Sequence, residues 1–150
     1  MIELAGELAI ARPMALSMGI LSDTGKLAGV LPNIEQLHDV SAEHAAWKAH
    51  PTTKLFTSSI DVESSRVEYG DSFVVYRTTA KGMGGTVTLL TRLDTEATDA
   101  NHCLVRWTAK VEHVTGLLRM VPPSLMRSAG QAGIDDTWRE VQRGIESACD

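Results

Sequence analysis

Three glycines fall within four residues of the segment AKGMGGTVTLL, namely Gly82, Gly84 and Gly85. Such a cluster cradles phosphate when it follows a strand and opens a helix, because the N–H groups of the first helical turn meet the anion. Here no Lys-Ser or Lys-Thr pair follows, as a phosphate loop requires, and the next residues, 85–93, read as a strand. The glycines are therefore assigned to a hairpin turn that needs positive φ. Among the five histidines, His38, His44 and His50 recur every six residues. Turn signals separate them and they form no i, i+4 pair on a helix, so no metal site is expected. No G-x-S-x-G nucleophile elbow occurs. Tyr76, Arg77, Glu112 and His113 could supply acid–base chemistry if they face a cavity. Glu112 and His113 are adjacent on a strand and are expected on opposite faces, which excludes a simple dyad. Arg77 either hydrogen-bonds a ligand carbonyl or pairs with a buried carboxylate, and the pairing is preferred. No catalytic residue is assigned, and no cofactor.

The formal net charge of −5 argues against non-specific nucleic-acid binding and against a polybasic anchor spread over the molecule. A chain of 150 residues suits one domain, residues 1–150, with a core large enough to need no staples. The two cysteines, Cys103 and Cys149, make no disulfide framework; they read as a buried thiol and an incidental one. Glu3 and Glu7 interrupt the apolar N-terminus, unlike a signal peptide. No apolar run reaches the roughly 18 residues of a membrane span. The expected location is the cytoplasm, with peripheral contact at the inner membrane face as a refinement.

Residues 2–10 alternate Ile2, Leu4, Gly6, Leu8 and Ile10 with Glu3, Ala5, Glu7 and Ala9, the period of a half-buried strand. Pro13 suits the first turn of a short helix over 14–21. Asp23 is a good cap for a second, ending before Pro32 and Asn33. Strands follow at 34–40, 44–50, 54–69, 72–80, 85–93 and 102–113, separated by turn signals, which implies an antiparallel meander. The length of the 54–69 run suggests a bulge. Ile134, Trp138, Val141 and Ile145 are spaced four, three and four, the stripe of a long amphipathic helix.

This order is similar to the helix-grip fold of the START-like (SRPBCC) superfamily: an α+β fold in which a curved antiparallel sheet of about seven strands wraps around a long C-terminal helix, with two short helices after the first strand. Within it the chain resembles the CoxG-like family, named for an accessory component of carbon monoxide dehydrogenase. The resemblance rests on ELAGELAI, LAGVLPNIEQL, KGMGGTVTLLTRL and the segment from GLLRMV to the end, and so covers nearly the whole chain. Asn33 stands where the family usually has glycine. Pro122-Pro123 should break or restart the terminal helix. The sequence stops at Asp150, so the membrane-contact tail of some relatives is not expected here.

The resemblance implies a cavity between sheet and helix. Strand alternation then nominates inward positions: Trp47, Phe73, Val75 and Arg77, then Val87, Leu89, Val105 and Trp107. Leu117, Met120, Met126, Ile134 and Trp138 complete the wall from the C-terminal segment. Each is either a plain core residue or a pocket wall. Segment 116–133 contains no acidic residue, two arginines (Arg119, Arg127), two methionines and two prolines. Methionine adapts to irregular apolar ligands and arginine suits an anionic bilayer edge. The segment is either a membrane-touching gate or an ordinary kinked helix start. The function expected is binding of a hydrophobic molecule, lipid or isoprenoid quinone. The resemblance adds a role as an accessory of a molybdenum hydroxylase, in membrane recruitment or quinone delivery. A polyketide cyclase/dehydratase-like enzyme and a purely structural accessory protein remain the alternatives.

Overall fold

The computed structural model describes residues 2–32, 34–49, 59–82 and 84–148. Strand β1 (Glu3–Ile10) leads into helices α1 (Met14–Leu21) and α2 (Thr24–Val30). Six strands follow: β2 (Ile34–His38), β3 (His44–Ala49), β4 (Ile60–Tyr69), β5 (Phe73–Gly82), β6 (Gly85–Asp99) and β7 (His102–Gly116). A short 3₁₀ turn, Leu117–Met120, precedes the 24-residue helix α3 (Pro123–Glu146). The seven strands form one antiparallel sheet in the order β1-β7-β6-β5-β4-β3-β2. This is the expected α+β helix-grip architecture. Asn33, His50, Cys149 and the predicted strand start at 54–58 lie outside the described residues.

Local chemistry accounts for the element ends. The Asp23 carboxylate accepts from the Lys26 backbone N–H at 3.1 Å and caps α2. Pro122 caps α3 and Pro123 is its first residue, where a missing N–H is harmless. In the glycine cluster only Gly84 has positive φ, at 74°. Gly82 and Gly85 are instead paired across the hairpin. A Cβ there would meet Ile60 Cγ2 at 2.5 Å or the Thr115 carbonyl at 2.6 Å, so crowding excludes a side chain at both. β6 and β7 run further than alternation indicated, to Asp99 and Gly116. The extension DTEATD buries only Thr95 and gives no apolar signal.

The sheet's inner face carries the core. Trp107 is the largest fully buried side chain, and it sits opposite Gly6 on β1. Its indole occupies the space of the missing side chain: a Cβ on Gly6 would lie 2.7 Å from Cε2. On α3, Gly130 faces Leu4 of β1, whose Cδ1 would lie 3.2 Å from an added Cβ. Gly130 thus lets α3 approach the β1 edge, while Gly6 makes room for Trp107 within the sheet. The buried apolar residues then divide into two clusters. The larger joins β1, β5, β6 and β7 to Trp138, Val141 and Ile145 of α3. The smaller comprises Ala28, Ala45, Trp47, Ile60 and Val62, under α2.

Replacing Gly6 by alanine should therefore displace the Trp107 indole. We expect a loss of about 1–3 kcal/mol of stability, the usual cost of overpacking, read as a lower thermal midpoint and a weakened near-UV tryptophan signal.

Candidate functional site

Cα partners in an antiparallel sheet share a face, so the register fixes what lines the space under α3. Ser64, Thr78, Leu89 and Val111 form one transverse row. Val62, Ala80, Val87 and Val114 form the next row towards the smaller cluster. Arg66, Tyr76, Thr91 and Ala109 form the next towards the larger one. Thr78, Ala80, Val87, Leu89, Thr91 and Val111 face the helix, yet each is only half-buried. Ala129, Gly130, Gly133 and Ile134 of α3 are likewise half-buried. The inner face between the two clusters is thus incompletely covered, and that is the candidate site.

Most sequence-nominated wall residues lie on this side. Trp47 is buried in the smaller cluster; Val105, Trp107 and Trp138 belong to the larger, with Ile134 packed against it. Trp138 Nε1 is buried with no hydrogen-bond partner among the described residues. Met126 is buried in the first turns of α3.

Five nominated residues are elsewhere. Phe73, Val75 and Arg77 face outward, because Val74 and Tyr76 take the inner phase opposite Leu93 and Thr91. The run FVVYRTTA has apolar residues in both phases, so only its pairing with β6 decides. The Arg92 guanidinium stacks on Phe73, 4.5 Å from the ring centre. Leu117 and Met120 are exposed, at 66 % and 81 %. In a 3₁₀ turn residues i and i+3 eclipse, so these two share the outer side while Leu118 takes the buried position. Leu125, also 48 % exposed, was not singled out from the sequence. The exposed side chains of Arg119 and Arg127 accompany this apolar strip.

Three of the four acid–base candidates, Tyr76, Arg77 and Glu112, are engaged. Arg77 Nε donates to Glu112 Oε1 at 2.9 Å on the outer face. Its partner is partly exposed, not the buried carboxylate expected. The Arg77 hydrogen bond, and secondarily its charge, hold the Glu112 carboxyl below its usual range. A bulge sets Glu112 and His113 together opposite Thr88, between Val111 and Val114. Both are therefore exposed on the outer side and not on opposite faces. Tyr76 donates its hydroxyl to the Leu21 carbonyl at 2.6 Å. Arg66 Nη1 donates to the Ser22 carbonyl at 2.7 Å, and its guanidinium lies 3.8 Å from the centre of the Tyr69 ring. Thr24 Oγ1 donates to the Ala42 carbonyl at 2.9 Å. Three sheet-side contacts thus hold the α1–α2 corner in place. A separate hollow of about 340 Å³ lies at the other end of β1 and β7, beside Ile10, Cys103 and Glu146. The Ala11 N–H already occupies Glu146 Oε2 there, at 2.7 Å.

The architecture is shared widely. The chain is similar to a conserved protein from Geobacillus kaustophilus (TM-score 0.79, 12 % identity, 94 % of this chain and 93 % of that one). It is also similar to a START superfamily protein from Mycobacterium smegmatis (TM-score 0.71, 11 % identity, 96 % and 97 %). A third structure is the Zhui aromatase/cyclase from Streptomyces sp. R1128 (TM-score 0.66, 14 % identity, 96 % and 93 %). These likenesses define the class, a START-like helix-grip fold. No curated protein matches the chain in sequence. The CoxG family of carbon monoxide dehydrogenase subunits matches over residues 6–146, and the chain belongs to that family.

Burial raises the Tyr76 phenol well above its ordinary 10.0; hydrogen bonding with Thr24 opposes this only in part. Below that ordinary value both folded and unfolded phenols are protonated and the contribution is fully present. At higher pH the unfolded phenol ionises first, so stability falls as pH rises. Tyr76→Phe should cost about 1–2 kcal/mol at neutral pH and flatten the alkaline decline. Urea midpoints measured from neutral to strongly alkaline pH check both effects.

Proposed function

We propose that this protein holds a hydrophobic small molecule, a lipid or isoprenoid quinone, between its sheet and α3. The CoxG family match and the START-like fold support binding of a hydrophobic ligand. The observation that carries the reading is the incompletely covered inner face between the two core clusters, walled by Val87, Leu89, Val111 and Ile134. Apolar walls of this kind gain from any greasy surface brought against them, at roughly 25 cal/mol per Å² removed from water.

Residues 116–133 are the entry and the membrane contact. Leu117, Met120 and Leu125 expose apolar side chains, and Arg119 and Arg127 add positive charge in a segment without acids. Together they suit the edge of an anionic bilayer, each arginine contributing on the order of 1 kcal/mol. Among the described residues no helix is long and apolar enough to cross a membrane. The proposed partner is a molybdenum hydroxylase of the carbon monoxide dehydrogenase type, served by membrane recruitment or ligand delivery.

Organic extraction of the purified protein followed by mass spectrometry should yield a stoichiometric quinone or lipid. An empty extract that stays empty after incubation with quinone-loaded vesicles would overturn the carrier reading. In sedimentation assays the protein should bind vesicles rich in phosphatidylglycerol more tightly than phosphatidylcholine vesicles. Met120→Glu with Leu117→Glu should weaken that binding at least tenfold while leaving the thermal midpoint unchanged. Equal binding by both proteins would remove this segment from the membrane contact.

A further inference from the structure

The inner wall carries polar groups as well as apolar ones. Ser64 Oγ and Thr78 Oγ1 share a hydrogen bond of 2.9 Å, in the row between the two apolar clusters. Ser64 is buried and Thr78 half-buried. Two hydroxyls bring two protons; their mutual bond uses one and leaves one O–H for a third group. Thr91 lies one row on, on the neighbouring strand, half-buried. Among the described residues no other hydrogen bond is made by the side chains of Ser64 or Thr78, and none by that of Thr91.

The charges in the wall rows are committed or on the outer face; Arg119 and Arg127 stand exposed in the entry segment. Arg66 is the cation in the adjoining row, and its guanidinium serves the Ser22 carbonyl and the Tyr69 ring. Arg77, Glu112 and His113 are on the outer face. Asp135 of α3 is bonded to Gln131 at 3.1 Å. An anionic head brought here would lose its water with no uncommitted cation among these residues to meet it, a heavy desolvation cost. A carbonyl needs only the spare O–H.

We propose that the Ser64–Thr78 hydroxyl pair, aided by Thr91, is the polar anchor of the cavity and selects an uncharged, carbonyl-bearing apolar ligand over a carboxylate or phosphate lipid. This rests on the cavity reading above and fills the ligand-carbonyl contact that the sequence offered for Arg77 only as the alternative to an ion pair. The arrangement recognises a group, so the apolar remainder of the ligand is free to vary in length.

The test is a tryptophan-fluorescence titration of delipidated protein with three probes of matched chain length: dodecan-2-one, laurate and dodecane. The ketone should bind at least tenfold tighter than laurate at pH values where laurate is ionised, and more tightly than dodecane. Thr78→Val should lower ketone affinity about tenfold, leave dodecane unchanged and be rescued by Thr78→Ser. Thr91→Val gives a second, smaller loss, and serves if Thr78→Val does not fold. Dodecane binding as tightly as the ketone, or laurate binding better, overturns the anchor while the cavity stands. Failure of all three probes to bind overturns the cavity, and the anchor with it.

Discussion

The long helix can lie down on the first strand because Gly130 has no side chain where it meets Leu4, and the rest of the molecule is arranged around that contact. Gly6 leaves room for the Trp107 indole over β1, and Gly130 lets α3 approach Leu4. Seated at that edge, α3 delivers Trp138, Val141 and Ile145 to the larger cluster. The opposite half of the sheet is roofed by α2 through Ala28. Two roofs anchored at separate places leave the ground between them uncovered. A fully packed interior would need large side chains at Thr78, Ala80 and Thr91, and the sequence provides small or hydroxylic ones.

The architecture was legible because its signals are long. Alternation over residues 2–10, evenly spaced turn residues and the four-three-four stripe of the last helix each constrain many residues at once. Pro122-Pro123, read as a break or restart of the terminal helix, stands at its start, for a steric reason that holds in any context. Facing was less legible. Val74 and Tyr76 compete with Phe73 and Val75 for the core, and the sequence of β5 alone does not break the tie; the partner strand does. Neither does sequence announce the bulge at Glu112 and His113, since it depends on how β7 is stitched to β6. Leu117 and Met120 are apolar and so read as wall, but the 3₁₀ turn puts both on its outer side. Thr78 and Ser64 gave no signal at all: a hydroxyl at a strand position is ordinary until the register shows which face it is on.

The outer face repeats one pattern. Glu3 with Lys110, Glu7 with Arg106, Arg106 with Glu96 and Lys48 with Asp61 pair across neighbouring strands within 3.0–3.6 Å. Exposed pairs of this sort contribute little individually. Their effect is on the sum: opposite signs alternate and the convex surface presents no broad field. Arg119 and Arg127 add exposed positive charge in a segment without acids, in a chain of net negative charge.

The pairing of β1 with β7 has a consequence for how the chain is made. Residue Glu3 is matched with Lys110 and Ile10 with Cys103, so β1 has no partner until the roughly one hundred residues up to β7 have been made. The hairpins from β3 to β7 can close in turn as they appear, because each joins neighbours in sequence. β1 waits, with Leu4, Leu8 and Ile10 uncovered, and so does α3, whose seat is on it. Such long-range closure is slow and leaves apolar surface open to other chains. Folding of this unit therefore ends with a late step in which β1 meets β7 and α3 settles on β1, and the inner face is enclosed only then.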